Sequence, residues 1–266
     1  MPPNSQPAKP THGGTAASQT LEQTKLIRNM PNREEQLVID CLKIQGFENI
    51  KFEPDGNIPP DILLNGKIAV EVRRLNQNQS TESGFKGLEQ DEYAVHGLFK
   101  KIFDEISDEI YERSAFVGYE FSRPLPDKKV LKRKVIETLE NHKPYIHEHR
   151  EYEISDTFKL RLIPSSSKLR KQFQYGMSSD GDSGGFVVGL IYENLKLIIN
   201  EKEEKVENHR KKYSEWWLAV VDTIGYGLTD LDIEQFCDLP KLEYQFDRIL
   251  LVSPLDSSKF NYLYEN

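Results

Sequence analysis

Apolar residues at helical spacing predict a first helix from Arg33 to about Gln45. Asn32 is the predicted N-cap, and Glu35 stands three residues later, which is the capping-box arrangement. Gly46 ends the helix. One face of this helix carries the apolar residues Leu37, Val38, Cys41 and Leu42. The pattern therefore predicts a helix that packs on one side only.

A β-hairpin is predicted where two apolar runs flank Asn65-Gly66, because both central positions of a tight turn must accept a positive φ. The second strand is apolar enough to lie inside a sheet. Its residues alternate between the two faces, which gives one set of Ile68, Val70 and Val72 and another of Ala69, Glu71 and Arg73. A carboxylate and a guanidinium on such a strand need partners, a metal ion or a chemical role.

The rest of the chain predicts an α/β fold. Further helices are predicted at Glu89–Arg113, Lys128–His149, Val187–Tyr213 and Leu231–Cys237. Strands are predicted at Asn49–Glu53, Phe116–Phe121, Tyr152–Ile163, Trp217–Asp222 and Arg248–Ser253, and a loop at Ser165–Gly185. The last two strands are apolar runs joined through a helix, which indicates a parallel βαβ unit. We therefore expect an α/β/α sandwich with a central mixed sheet in residues 31–266, with an α+β insertion at residues 116–185.

Composition adds expectations about the N-terminus and the compartment. Residues 1–30 are rich in Pro, Gln, Thr, Ser and Gly, so they are predicted to form a disordered tail. No apolar run approaches the roughly 18 residues of a membrane span, so no membrane partner is predicted. Cys41 and Cys237 are far apart and lack metal-ligand spacing, which favours free thiols in a reducing cytoplasm.

Charge is distributed unevenly along the chain. The formal net charge is −8, but the stretch Arg123–Gln172 contains thirteen Lys and Arg against seven Asp and Glu, a net charge of +6. A basic region on an acidic protein is typical of a groove for a polyanion, and a solvated helix face is the alternative explanation. The nucleic-acid-binding residues predicted in this stretch are Lys132, Arg133, Lys168, Arg170 and Lys171.

Two acidic residues and one basic residue lie around the predicted hairpin. Asp61 follows Pro60, and the second strand carries Glu71-Val72-Arg73. This arrangement, within Asn32–Leu75, resembles that of the PD-(D/E)XK phosphodiesterase superfamily, the restriction-endonuclease-like nucleases. Asp61, Glu71 and Arg73 stand at the Asp, acidic and Lys positions of its motif. Arg73 departs from the motif, because an arginine keeps the charge of a lysine but not its titratable amine.

The resemblance implies a restriction-endonuclease-like core and a metal-dependent nuclease that cuts DNA, with Mg²⁺ or Mn²⁺ as the cofactor. It implies that Asp61 and Glu71 bind the metal and act in catalysis, and that Arg73 stabilises the negative charge that develops on the phosphate. Because of Arg73, a catalytically inactive nucleic-acid-binding or assembly module on the same fold is the alternative. A protein-interaction scaffold without a nucleic-acid role is a third hypothesis.

Many members of the superfamily supply a further acidic residue from the first helix. Glu34 is the predicted third metal ligand, because Glu35 already has a role in the capping box. The alternative is that both glutamates favour the helix dipole. Arg74 and Gln77, near the end of the second strand, are predicted to bind nucleic acid.

The length of the hairpin turn decides whether the two motif carboxylates meet. With a two-residue turn, Asp61 lies opposite Val70 and faces away from Glu71. A shared metal site needs Asp61 beside Glu71. We therefore predict an added loop residue, a bulge, or a bend at Pro59-Pro60.

The segment Gly181–Gly185, Gly-Asp-Ser-Gly-Gly, matches the pentapeptide around the nucleophile of trypsin-like serine proteases. That family is a double β-barrel and usually disulfide-bonded, whereas this chain has long helical patterns and only two cysteines. We interpret the segment as a flexible linker or a phosphate-contacting turn.

Overall fold

The computed structural model describes residues 30–81, 84–106 and 111–265. The chain divides into two compact units, of which unit 1 comprises the residues up to Leu75 and from Leu195 onward. Unit 2 runs from Asn76 to Asn194 and contains the segment 116–185 predicted as an insertion. The predicted N-terminal tail lies outside the described residues, except for Met30.

The elements are numbered in chain order. The α-helices in the described ranges are α1 (Arg33–Ile44), α2 (Glu89–Glu105), α3 (Lys128–His142), α4 (Val187–Val206) and α5 (Asp230–Cys237), with 3-10 turns at Lys143–Tyr145 and Glu207–Lys212. The strands are β1 (Ile50–Phe52), β2 (Ile62–Leu64), β3 (Ile68–Leu75), β4 (Asn78–Thr81), β5 (Gly84–Gly87), β6 (Ala115–Phe121), β7 (Arg150–Ser155), β8 (Phe158–Pro164), β9 (Phe173–Asp180), β10 (Glu215–Asp222), β11 (Arg248–Val252) and β12 (Phe260–Glu265). Of the described helices, none has both the length and the hydrophobicity that crossing a bilayer requires.

Unit 1 is built on a six-stranded mixed sheet with the order β1-β2-β3-β10-β11-β12. β1, β2 and β3 pair antiparallel, whereas β3, β10 and β11 run parallel and β12 is antiparallel to β11. β10 lies inside the sheet because its residues from Trp216 onward are buried and mostly apolar, which suits a strand covered on both faces. The predicted α/β class with a central mixed sheet is confirmed.

Helices lie on both faces of this sheet. α1 packs its apolar stripe, with Val38 and Leu42 fully buried, against the face that carries Val70 and Val72. The C-terminal part of α4 lies on the opposite face, where Lys202 contacts Glu71. Its buried apolar residues recur at helical spacing and are Leu195, Ile198, Ile199 and Val206. The two sides of β3 are therefore covered by different helices.

Unit 2 contains a four-stranded sheet with the order β7-β8-β6-β9, and a separate hairpin of β4 and β5. Residues of α2 and α3 share a buried core with this sheet. The centre of the core is aromatic, since the rings of Phe99, Tyr119 and Phe158 stack with centroids 4.4 to 6.1 Å apart. Burial raises the pKa of Tyr119 to about 12, which keeps its hydroxyl neutral.

Several predicted elements need correction. The single strand predicted at Tyr152–Ile163 is the hairpin of β7 and β8, because Asp156-Thr157 turns the chain and Ser155 pairs with Phe158. The loop predicted at Ser165–Gly185 contains β9, which pairs parallel to β6. β9 is an edge strand and contains Gly and Ser, which a central strand rarely contains, so its composition does not predict a strand.

The long predicted helices are also shorter than expected. α2 comprises Glu89–Glu105 and Ile106 adopts an extended conformation, while residues 107–110 of the predicted helix lie outside the described residues. α3 ends at His142, two residues before Pro144, which has no backbone N–H for the helix. α4 ends at Val206 and continues as a 3-10 turn rather than as the helix predicted to Tyr213. β4, β5 and β12 were not predicted.

Candidate active site

A three-residue turn sets the register of the hairpin between β2 and β3. Leu64 pairs with Ile68, so Asn65, Gly66 and Lys67 form the loop, and the Lys67 N–H donates to the Leu64 carbonyl at 3.0 Å. Asn65 and Gly66 have φ values of 51° and 69°, as the Asn-Gly signal requires. Of the three predicted alternatives, an added loop residue, a bulge or a bend at Pro59-Pro60, the structure contains the added loop residue. Because Ile62 pairs with Val70, the register continues with Asp61 level with Glu71.

Asp61 directly precedes β2 and is held in place by the neighbouring strand β3. The Val72 N–H donates a hydrogen bond of 2.7 Å to Asp61 Oδ2. The same oxygen lies 3.5 Å from the ammonium of Lys202, which also contacts Glu71. The structure therefore brings Asp61 and Glu71 to one site, as the motif requires.

Glu71 is completely buried and is compensated by two lysines from α4. Lys202 Nζ donates to Glu71 Oε2 at 2.6 Å, and Lys205 Nζ donates to the same oxygen at 2.9 Å. Lys205 also lies 3.6 Å from Asp61 Oδ1. We refer to Asp61, Glu71, Lys202 and Lys205 as the carboxylate–lysine cluster. Its four side chains are linked by ion pairs on both sides, with Glu71 and Lys202 buried.

The two lysines differ in their access to solvent. The side chain of Lys202 is 6% exposed, whereas that of Lys205 is 42% exposed. Burial disfavours the charged form of Lys205, but the Glu71 and Asp61 carboxylates outweigh this effect and raise its pKa. Lys205 is therefore a cation at neutral pH that stands at the mouth of the cluster, with Lys202 behind it.

One oxygen of Glu71 remains available. Glu71 Oε1 is buried and has no hydrogen-bond partner, although Glu71 Oε2 accepts from both lysines. A buried carboxylate oxygen without a partner carries a desolvation cost that a bound cation would remove. The cluster thus retains a ligand position for a hard cation.

Arg73 and Arg74 point to opposite faces of β3. Arg73 Nε lies 3.4 Å from Glu201 Oε2 of α4, so this predicted catalytic residue is ion-paired beside the cluster. Arg74 lies on the α1 side, where its Nε is 4.0 Å from Glu34 Oε1. These two arginines and Glu34 border an open cavity of about 260 Å³.

Glu34 does not join Asp61 and Glu71. Its carboxylate pairs with Arg74 on the opposite side of β3 from Glu71, because successive side chains of a strand alternate between its faces. Among residues 30–81, 84–106 and 111–265, no group of three or more His, Cys, Asp or Glu side chains is arranged to hold a metal ion. The predicted trio of carboxylates therefore does not converge in this structure.

Glu35 is the glutamate of α1 whose charge interacts with the cluster. Its capping box with Asn32 is present, as predicted. Burial raises the pKa of the Glu35 carboxyl, the hydrogen bond from Asn32 lowers it, and the Asp61 and Glu53 carboxylates raise it further. Glu35 therefore caps α1 and also interacts electrostatically with Asp61.

The predicted nucleic-acid-binding residues of unit 2 fall into two groups. Lys132 and Lys171 are neutralised by ion pairs. Lys132 Nζ lies 2.5 Å from a carboxylate oxygen of Glu105, and Lys171 Nζ lies 2.5 Å from one of Asp104. The other three, Arg133, Lys168 and Arg170, are exposed and have no hydrogen-bond or ion-pair partner in the described part of the chain.

Gln77 is engaged by the backbone rather than exposed for binding, because the Gly184 N–H donates to its side-chain oxygen at 3.1 Å. Nearby, Arg123 donates two hydrogen bonds of 2.7 Å to Asp180 and pairs with Asp182 at 3.1 Å. Ser183 donates to the Asp180 carbonyl at 3.2 Å. The Gly181–Gly185 segment is thus tied to its surroundings, and among the described residues its serine has no hydrogen bond to a histidine.

The lysines of the cluster were missed at the level of sequence. Lys202 occupies the apolar stripe of α4 between Ile198 and Val206, and a lysine on a buried stripe predicts an acidic partner. That signal was present in the sequence. The partner lies 131 residues away, so the pairing itself depends on the fold.

No protein-family model matches this chain, and searches of curated proteins and of solved structures find no similar protein.

Proposed function

We propose that this protein is a metal-dependent phosphodiesterase of the PD-(D/E)XK type, acting on DNA. The observation that carries the proposal is the meeting of Asp61 and Glu71 around Lys202, with Lys202 Nζ 3.5 Å from Asp61 and 2.6 Å from Glu71. Two carboxylates and a lysine are the three functional groups of the motif. Here the lysine comes from a helix instead of from the strand position that Arg73 occupies.

The topology of unit 1 supports a restriction-endonuclease-like core. The chain order is α1, the antiparallel strands β1 to β3, α4 and then β10, which lies beside β3 and parallel to it. Asp61 precedes β2, and Glu71 lies inside β3. Both carboxylates are therefore supplied by the central hairpin, where the motif resemblance places them.

The residues present fit a hard divalent cation. Mg²⁺ is usually held by one or two carboxylates together with waters and substrate phosphates, and its ligands are oxygens. Asp61 and Glu71 would hold it, with Glu71 Oε1 as the oxygen that has no protein partner. When bound, the ion would polarise the phosphate and lower the pKa of a bound water. Glu34 is not part of this set.

The basic residues around the cluster have separable roles. Lys202 supplies the amine that Arg73 lacks, and its burial against two carboxylates fixes its position. Lys205 is protonated and half exposed, so it can donate a hydrogen bond to a phosphate oxygen at the mouth of the site. Arg73 is held by Glu201 and contributes positive charge beside the cluster.

Cleavage of plasmid and single-stranded DNA in Mg²⁺ or Mn²⁺ tests the proposal. Asp61→Asn, Glu71→Gln and Lys202→Met should each lower the rate by on the order of a hundredfold or more, because each removes a group from the reacting site. Lys196→Met is the matched control, since Lys196 is exposed on the same helix and should not matter. Absence of cleavage by the wild-type protein, or equal cleavage by Asp61→Asn, contradicts the proposal.

A second candidate function is a catalytically inactive nucleic-acid-binding or assembly module on the same fold. The observation that favours it is charge balance, because two lysines already compensate the two carboxylates and Glu201 pairs with Arg73. A cluster whose charges balance without a metal suits a structural role. Binding of divalent metal by calorimetry separates the two functions.

We also propose a reducing, cytoplasmic setting. Cys41 is buried in the core of unit 1 and Cys237 is exposed, and both are free thiols.

A further inference from the structure

Unit 2 contains a polar cavity of about 380 Å³ that none of the roles above explains. It lies where the chain enters β6 and leaves β8. The residues that matter for its chemistry are Glu112, Arg113, His147 and the segment Ser165–Lys168.

Arg113 and Lys168 at this cavity have no carboxylate partner among the described residues, whereas several other basic side chains of unit 2 do. Arg161, for example, pairs with Glu151 at 2.7 Å, and Lys171 pairs with Asp104. Arg113 is exposed and has no hydrogen-bond or ion-pair partner in the described residues. Lys168 lies over the ring of Tyr111, with its Nζ 4.7 Å from the centroid. Both charges are thus free to meet an anion.

A serine turn supplies hydroxyl groups between the two cations. The Ser165 N–H donates to the Ser114 carbonyl at 2.8 Å, and the Ser167 N–H donates to Ser165 Oγ at 3.3 Å. These bonds hold the turn in place. Ser166 and Ser167 are exposed, and in the described part of the structure their hydroxyls have no partner. The site therefore offers two cations and several neutral donors, which is the donor set that phosphate groups require.

We propose that this cavity binds phosphate groups of a nucleic-acid backbone. That the phosphates belong to nucleic acid rests on the proposed function; the preference for a phosphate rests on the cavity alone. Arg113 and Lys168 supply the charge, and the serine turn supplies hydrogen bonds to the remaining phosphate oxygens. Contacts of this kind fix the position of a strand without reading its sequence.

The same cavity contains one residue of opposite sign. The Glu112 carboxylate borders it next to Arg113 and would repel a phosphate. His147 is 3.5 Å from Glu148 and so has an acidic neighbour of its own. Removing the charge of Glu112 should therefore strengthen binding, which a purely structural role of the cavity does not predict.

The test uses the full chain with EDTA, so that binding is measured without cleavage. The probe is a short fluorescein-labelled single-stranded DNA followed by anisotropy over a series of salt concentrations. The Arg113→Ala/Lys168→Ala double variant should bind on the order of tenfold more weakly. Its slope of log affinity against log salt should be shallower by about 1.4, since each lost contact to a single strand accounts for about 0.7. Glu112→Gln should bind more tightly, and Ser166→Glu more weakly.

Lys159→Ala is the matched control, because Lys159 has Glu153 as its ion-pair partner and does not line the cavity, and it should bind like the wild type. Wild-type affinity and slope in the double variant, or unchanged binding by Glu112→Gln, would overturn the inference. Calorimetry with inorganic phosphate separates the two sources of the anion. Phosphate binding that the double variant loses, with DNA binding unchanged, would overturn the assignment to nucleic acid.

Failure of this inference is distinguishable from failure of the proposed function. Asp61→Asn should lose cleavage yet bind DNA like the wild type, because Asp61 does not line the cavity. Binding through the cavity by a protein that never cleaves DNA would refute the nuclease and leave the phosphate site intact.

Discussion

Glu71 is a fully buried carboxylate whose charge is compensated by residues of another element, α4. Removing one partner of a buried ion pair leaves an uncompensated charge, and this is more costly than never having had the pair. Loss of the Lys202–Glu71 pair would leave each partner with another ionic contact, because Lys205 also contacts Glu71 and Lys202 also contacts Asp61. The four side chains should therefore behave as one coupled unit.

A double-mutant cycle tests this coupling. Glu71→Gln should lower the free energy of unfolding by about 3 kcal/mol, because it leaves two lysines to a single carboxylate. Lys202→Met should cost less when Glu71 is already Gln, with a coupling energy of about 1–3 kcal/mol. Urea denaturation measures all four states.

The exposed pair Arg161–Glu151, at 2.7 Å, is the reference for this cycle, and its coupling should be below about 1 kcal/mol. Equal coupling energies for Lys202–Glu71 and Arg161–Glu151 would mean that burial does not strengthen the interaction in the cluster.

Glu35 gives a pH dependence of defined sign. Its folded-state pKa is raised by burial and by Asp61, so its contribution to stability is present below the unfolded value of about 4.3. That contribution is lost as the pH rises through the folded pKa. Glu35→Gln keeps an acceptor for the Asn32 N–H but cannot ionise. Relative to the wild type, the variant should therefore gain stability between pH 4 and pH 7 in chemical denaturation; a constant difference would contradict this.

At the scale of elements, the turn between β2 and β3 decides the register, and the register decides the site. A loop one residue shorter would turn Asp61 to the face opposite Glu71. The Asn-Gly signal predicts where the chain turns, but the third loop residue, Lys67, depends on how β3 pairs with β10 as well as with β2. The sequence predicts this register only through the motif, which requires Asp61 and Glu71 on the same face.

Gly66 should be required for this turn. Its φ of 69° is accessible to glycine and costs other residues about 1 kcal/mol or more, although no atom stands within 4 Å of the position of an added Cβ. Gly66→Ala should thus destabilise the protein by about 1 kcal/mol.

Gly97→Ala in α2 is the matched control for the turn, because its Cβ would also meet no atom within 4 Å but its backbone is helical. That substitution should stabilise the protein by about 0.5–1 kcal/mol. Thermal or urea unfolding measures the stability change of both variants. Changes of the same sign in the free energy of unfolding would argue against strain at Gly66.

Sequence periodicity predicted the elements with strong apolar patterns and missed those without. α1, with its capping box, and the buried runs of β10 and β11 were predicted within a few residues. β9, rich in Gly and Ser, and the short hairpin of β4 and β5 carry no such pattern, since neighbouring strands hold them in place. The ion pair of Lys202 with Glu71 was missed for the same reason, because tertiary packing and not sequence spacing brings the two residues together.

At the scale of the whole molecule, the acidic net charge and the local basic patches have different consequences. A net charge of −8 opposes non-specific binding of DNA, so the proposed binding would rely on the cations that lack acidic partners. Ion pairing leaves much of the basic stretch at Arg123–Gln172 without free charge, as Lys132 and Lys171 show. Composition alone therefore does not show which of these cations are available to a ligand, and the polyanion groove stays a prediction.

The measurement that tests the central claim most directly is the calorimetric titration of Mn²⁺ into the wild-type protein and Asp61→Asn. The account predicts one site in the wild type, formed by Asp61 and Glu71, and its loss in the variant. The absence of binding by the wild type, or equal binding by Asp61→Asn, would contradict the metal site on which the proposed cleavage of DNA depends.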